Sequence, residues 1–262
     1  MDGGGAAGEL EIRAVPGLPA VRPGDDLAAL IAAGLARGGM APLRAGDVLV
    51  VAQKIVSKAE GRMVEVPAVT PSPRAVALAA DVAKDPRLVE VILSESVRVV
   101  RARPGLLIVE HRLGFVMANA GVDHSNVGPQ DDGVERVLLL PRDPDASAER
   151  LREALAPGDG APIGVIVNDS FGRAWRRGTV GVAIGAAGLP ALLDLRGRPD
   201  LFGRRLEVSI SAFADEIAAA ASLLMGQADE ARPVVLVRGL SWSAPASGAK
   251  ALVRPAAEDL FR

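Results

Sequence analysis

No cysteine occurs in the 262 residues. Disulfides, thiolate metal sites and a cysteine nucleophile are therefore excluded. Histidine is scarce as well, with two residues, His111 and His124, so a zinc centre built on several imidazoles is unavailable. Any metal must rest mainly on oxygen ligands, which points to magnesium, manganese or calcium. Aromatics make up 3%, too few for a platform that stacks single-stranded nucleic acid. The formal net charge of -2 lacks the basic excess of a nucleic-acid binder. No apolar run is long enough to span a bilayer. Residues 1–8 are rich in glycine and alanine and lack the basic start and apolar stretch of a signal peptide. These absences lead to the expectation of a cytoplasmic protein with neither a membrane nor a nucleic acid as partner. What is present, 49% apolar and 24% charged residues, is the profile of a globular chain with a sizeable core.

Local patterns predict an opening strand over 9–15 and a helix over 27–35, with Asp25 or Asp26 as its N-cap. A continuous apolar run over 48–52 suits a buried strand, and the polar, basic segment 53–62 reads as a loop at its end. Residues 73–100 read as helical, interrupted near Asp85 and Pro86. Two hairpin strands are expected over 106–110 and 114–119, then a polar loop over 120–132 and a short apolar run over 137–140. A helix over 144–155 precedes a buried strand over 162–167, which runs into a loop at Asn168, Asp169 and Ser170. Residues 178–188 are glycine-rich and apolar. A strand over 206–210, a helix over 213–225, a break over 226–232 and a last strand over 234–237 complete the pattern. The end, 241–262, carries little pattern and is expected to be peripheral, like 1–8. Strands and helices intermix without strict alternation, so the fold class is α+β or mixed α/β, not a doubly wound sheet.

Three polar loops are expected to follow apolar strands, where binding groups are commonly placed. The first carries Ser57, Lys58, Glu60 and Arg62. The second carries Asp123, Ser125 and Asn126, and the third Asp169, Ser170, Arg173, Arg176 and Arg177. Together they offer oxygen ligands for a hard cation and cationic groups for phosphates. Each has a plainer reading. An Asp-Ser pair at a strand end is also a turn or a cap, the run RAWRR is also a solvated surface, and GVAIGAAG at 181–188 is also a close-packing segment. Taken alone, the residues reach a metal–phosphate enzyme and no further.

In their order along the chain, these segments resemble the coenzyme F420-0:L-glutamate ligase family. The resemblance rests on GDVLVVAQKIVSKAEGR at 46–62, NAGVDHSNV at 119–127, LLPRDPDASAERLR at 139–152, NDSFGRAWRRG at 168–178, GVAIGAAG at 181–188, ADEIAAAASLLMG at 214–226 and VVLVRG at 234–239. It implies one ligase domain over 9–240, divisible into two subdomains with mixed sheets, in an intertwined homodimer whose site lies near the subunit interface. It also implies amide-bond formation between L-glutamate and a carboxylate of the F420 precursor, driven by GTP through an acyl phosphate. The expected cofactors are Mg2+ or Mn2+, with a monovalent cation such as K+ as a further candidate.

By similarity, Asp123 and Asp169 hold one divalent ion, and Ser170 with Gln227 serves a second. The family often has glutamate at the position of Gln227, and this chain has one negative charge fewer there. Asn126 and Lys58 contact the nucleotide, Lys58 acting with Asp123 and Asp169 in catalysis. Leu18, Pro19, Ala20, Val21, Gln53 and Lys54 line the same pocket, and Met225, Gly226 and Gln227 begin the segment that closes it. Arg173, Arg176 and Arg177 are candidates for gripping the anionic precursor, because guanidinium groups suit oxyanions. Two alternatives stay open: an amino-acid ligase acting on a different carboxylate, and a nucleotide-binding homologue without turnover.

Overall fold

The computed structural model describes residues 8–127 and 133–260. Its strands are β1 (Glu11–Ala14), β2 (Val48–Ala52), β3 (Met63–Glu65), β4 (Ser96–Arg103), β5 (Leu106–His111), β6 (Val116–Ala118), β7 (Arg136–Leu138), β8 (Gly164–Gly172), β9 (Thr179–Ala187), β10 (Leu193–Asp194), β11 (Ile210–Ser211) and β12 (Val234–Arg238). Its α-helices are α1 (Leu27–Arg37), α2 (Gln53–Ala59), α3 (Pro73–Val82), α4 (Pro86–Ser94), α5 (Pro144–Leu155) and α6 (Phe213–Met225). The fold is mixed α/β, as the intermixed pattern predicts.

A five-stranded sheet in the order β1-β12-β2-β8-β9 forms the main body. The β2–β8 pairing is parallel and the other three are antiparallel. Strand periodicity divides the core. Leu49, Val51, Val165, Val167 and Leu236 face one side, where α1 and α5 cover them with Ile31, Leu35, Ala148 and Leu151. Val48, Val50, Ile166, Val235 and Val237 face the other, beneath Ala214, Ile217, Ala218 and Ala221 of α6. Asp26 caps α1 by accepting a hydrogen bond from the Ala29 amide, while Asp25 accepts from Arg22.

The glycines of β9 explain how closely these layers approach. A Cβ on Gly181 would fall on the Ser222 hydroxyl of α6, and one on Gly185 would fall on the Pro144 carbonyl of α5. GVAIGAAG is therefore a close-packing segment, the plainer of its two readings.

A second unit packs α3 and α4 on the three-stranded sheet β4-β5-β6, around Ala75, Val82, Val89, Ile92, Leu107 and Val109. Three local expectations need correction here and in the main sheet. Residues 53–59 form helix α2, not a loop, because Ile55, Val56 and Ser57 share a buried side while Lys54 and Lys58 stand one turn apart. The helical reading of 73–100 ends at Ser94, since the β-branched Val97, Val99 and Val100 fall in β4, which pairs with β5. Asn168, Asp169 and Ser170 lie within β8, which continues past a register shift at Val167 and Asn168 alongside β9.

Glu95, at the end of α4, joins the two units. Its carboxylate accepts from Arg62 at 2.9 Å and Arg112 at 3.0 Å, and the buried His111 Nε2 stands 3.5 Å away. Arg62 also donates to the Leu140 carbonyl. Burial pushes the Glu95 carboxyl up, but His111 and the two guanidinium groups outweigh it and bring the carboxyl down to about 2.

The segment after Trp242 is stapled to the body. The Ala249 amide donates to Asp145 at 2.7 Å, Ser247 Oγ accepts from the Ala191 amide at 2.9 Å, and Ala249 is fully buried. No helix among the described residues is long and apolar enough to cross a membrane.

Candidate active site

A cavity of about 750 Å³ opens where β2, β8 and the end of α6 converge. Its walls come from five distant stretches of chain. Leu18, Pro19, Ala20 and Val21 form one side; Gln53, Lys54 and Lys58 of α2 form the next; Asp123 and Asn126 face them; Asn168, Asp169 and Ser170 project from β8. Met225, Gly226, Gln227 and the residues to Pro233 close the ring. Every residue expected to contact nucleotide or metal therefore meets in one space. Parallel pairing sets Ala52 opposite Asn168 of β8, and so brings Gln53 and Asn168 to the same end of β2.

Arg173, Arg176 and Arg177 do not line this cavity. They stand exposed beyond Gly172, on the β8–β9 connection, where Arg173 donates to the Gly178 carbonyl at 3.2 Å.

The electrostatics of the two aspartates differ. Lys54 Nζ lies 2.7 Å from Asp123 Oδ2 and donates to Ser125 Oγ at 2.8 Å. Asp123 Oδ1 accepts from the Ser125 amide at 2.7 Å and its hydroxyl at 2.8 Å. Burial raises the Asp123 carboxyl, yet Lys54 and Ser125 outweigh it and hold it below the usual range. Among the described residues Asp169 has no such side-chain partner. Burial, reinforced by the charge of Asp123, pushes its carboxyl up to about 6, against the weaker pull of the Ser170 amide and Lys54. Lys58 is lowered, first by burial and then by repulsion from Lys54. One lysine thus serves two carboxylates, and one negative charge is left poorly compensated.

The closing segment is tied to both walls. Ser170 Oγ and Gln227 Oε1 are 2.7 Å apart, and Asn126 donates to the Ala228 carbonyl at 3.2 Å. Gly226 ends α6 at φ 73, a backbone conformation that glycine adopts without strain. The Glu230 carboxylate accepts from the Ala228 amide and fills the space a side chain at Gly226 would need.

Asn168 is the wall residue that sequence reasoning passed over, because its segment reads as a loop. It is buried and donates to Ser222 Oγ at 3.2 Å and Met225 Sδ at 3.4 Å, anchoring the last turn of α6 over β8. Ala231, Arg232 and Pro233 were also missed as lining residues; the only signal for them was the polar break after α6.

Among the described residues no three His, Asp or Glu side chains form a ready metal cluster. The donor set at hand is two carboxylates, a hydroxyl and an amide oxygen, all of them hard. That set, with the uncompensated charge of Asp169, fits a divalent ion of the magnesium or manganese type.

A family profile described as F420-0:Gamma-glutamyl ligase matches residues 17–239. A coenzyme F420:L-glutamate ligase of Methanothermobacter thermautotrophicus is 48% identical over 97% of this chain and 99% of its own length. Proteins of the same name from Methanopyrus kandleri, 48% identical, and Archaeoglobus fulgidus, 43% identical, each match 97% of the chain and 98% and 96% of their own lengths.

Proposed function

The chain belongs to the F420-0:gamma-glutamyl ligase family, and from that premise we propose that it joins L-glutamate to the coenzyme F420 precursor in the cavity bounded by Lys54, Asp123 and Asp169. It is a ligase that forms an amide bond. The observation that carries the finer reading is the convergence of Lys54, Lys58, Asp123, Asp169, Ser170 and Gln227 on one cavity large enough for a nucleotide.

The reaction needs activation because a carboxylate repels an incoming amine. A carboxylate oxygen of the precursor attacks the terminal phosphorus of GTP, the bond to the bridging oxygen breaks, and GDP leaves. The amine of L-glutamate then attacks the acyl carbon, loses a proton and displaces inorganic phosphate as the amide forms. The enzyme's part is alignment and charge neutralisation. Lys54 and Lys58, one helical turn apart on α2, face the phosphates. Asn126 and Gln53 orient the nucleotide, with Leu18 to Val21 and Met225 to Gln227 as its walls. Asp123 and Asp169 would hold the first Mg2+ or Mn2+, and Ser170 and Gln227 a second. Such an ion supplies positive charge that screens phosphate oxygens during transfer. Arg173, Arg176 and Arg177 remain candidates for the precursor's phosphodiester, reaching from the rim and not from within. The homodimer belongs to the same proposal. Its natural cover is the 193–211 arm, where Leu201 and Phe202 are 98% and 95% exposed.

Isotope transfer tests the mechanism. Precursor carrying 18O in its carboxylate is expected to deliver one labelled oxygen to the phosphate released. Label retained wholly in the organic product would refute the acyl phosphate.

A further inference from the structure

We propose that Lys54 is a placeholder cation that is exchanged between Asp123 and the nucleotide, so that divalent metal and nucleotide each strengthen binding of the other. The inference rests on the metal and nucleotide reading given above and adds to it a role for Lys54 beyond lining the pocket.

The geometry is a closed ring of three side chains. Lys54 Nζ donates to Asp123 Oδ2 and to Ser125 Oγ, at 2.7 and 2.8 Å. The Ser125 hydroxyl donates in turn to Asp123 Oδ1 at 2.8 Å, and the Ser125 amide adds a second bond to that oxygen at 2.7 Å. Both oxygens of Asp123 are therefore already engaged.

A divalent ion on Asp123 needs one of those oxygens and sets a double positive charge beside an ammonium. Like charges at that range repel strongly in a half-buried site. Lys54 must then leave Asp123, and in leaving it loses its counter-charge. A nucleotide phosphate provides a new one in the same cavity, where Lys58 stands one turn further along α2. The converse also holds. When Lys54 turns to a phosphate, Asp123 loses its cation and becomes a better ligand for the ion. Because coupling between two binding events is reciprocal, each ligand raises affinity for the other by the same factor. Lys54 is here a binding group shared by two partners in turn, so removing this cation from a nucleotide site improves metal binding.

Calorimetric titration of the full chain with Mn2+, with and without saturating GDP and corrected for Mn2+ bound by free GDP, tests this. In the unaltered protein, GDP is expected to tighten Mn2+ binding about tenfold. Lys54→Met is expected to bind Mn2+ about tenfold more tightly without GDP, to bind GDP more weakly, and to show little remaining coupling. Lys58→Met, which removes a cavity lysine that does not touch Asp123, is expected to weaken GDP binding without tightening Mn2+. Unchanged or weaker Mn2+ binding by Lys54→Met, or equal tightening in Lys58→Met, would overturn the exchange. Asp123→Asn separates that failure from a failure of the metal reading itself. If it binds Mn2+ as well as the unaltered chain, the ion does not sit on Asp123, and both readings fall.

Discussion

Replacing Asp169 by alanine is expected to reduce ligase turnover by roughly a thousandfold, the loss typical when a main electrostatic contributor to a transition state is removed. The same change should leave the fold intact. Asp169 projects from β8 into the cavity, and among the described residues its one hydrogen bond comes from the neighbouring Ser170 amide. Its charge does not stabilise the folded chain. The carboxyl is raised from 3.8 to about 6 by burial and by Asp123. A group raised in this way contributes stability that is complete below pH 3.8 and lost as pH rises through about 6. At neutral pH the native state therefore bears a cost for the carboxylate, and the alanine variant should melt at or above the temperature of the parent. Turnover assays beside thermal melts at pH 7 check both halves. Turnover within tenfold of the parent, or a variant that melts well below it, would remove Asp169 from the role given to it.

Glu95→Gln is expected to do the opposite, lowering stability at neutral pH by about 3 kcal/mol. Glu95 neutralises Arg62 and Arg112 at the seam between the two units, with its side chain 10% exposed. Glutamine would keep the shape and leave two guanidinium groups without their counter-charge. The carboxyl is depressed from 4.5 to about 2, so its contribution is present above pH 4.5 and lost as pH falls through about 2. The difference in melting between parent and variant should thus be full at pH 7, roughly 5–10 °C for a chain of this size, and should shrink between pH 4.5 and 2. Denaturation at pH 7 and pH 3 measures it. Equal midpoints at pH 7, or a difference indifferent to pH, would show that the cluster contributes little. Because Arg62 follows α2 and His111 precedes the Asp123 loop, the variant should also loosen the geometry between Lys54 and Asp123.

The main elements were legible because they obey simple periodicities. The apolar run at 48–52 is a strand buried on both faces, and 213–225 is a helix whose alanines face the sheet. Segment 53–59 was harder to read. A two-turn helix with lysines on one side looks polar in sequence, and only its buried Ile55 and Val56, packed under the sheet, reveal it. Residues 96–100 deceived in the other direction, since an apolar stretch joined to a helix carries no marker of where pairing with a later strand takes over. Asn168 was invisible as a site residue because its partners, Ser222 and Met225, lie more than fifty residues away. The cavity itself was legible only through resemblance: no spacing in the sequence says that residues near 18, 54, 123, 169 and 227 converge. The arginines of 173–177 were singled out for their charge and not through the resemblance, and they stand outside the cavity wall although their segment adjoins it.

The most direct measurement is the mass of the product. Purified protein is incubated with the F420 precursor lacking glutamate, L-glutamate, GTP and Mg2+ or Mn2+, and the deazaflavin species are followed by mass spectrometry. The account predicts a mass gain of one or more glutamyl units that requires GTP and the metal. A precursor unchanged in mass, with protein folded and nucleotide bound, would contradict it.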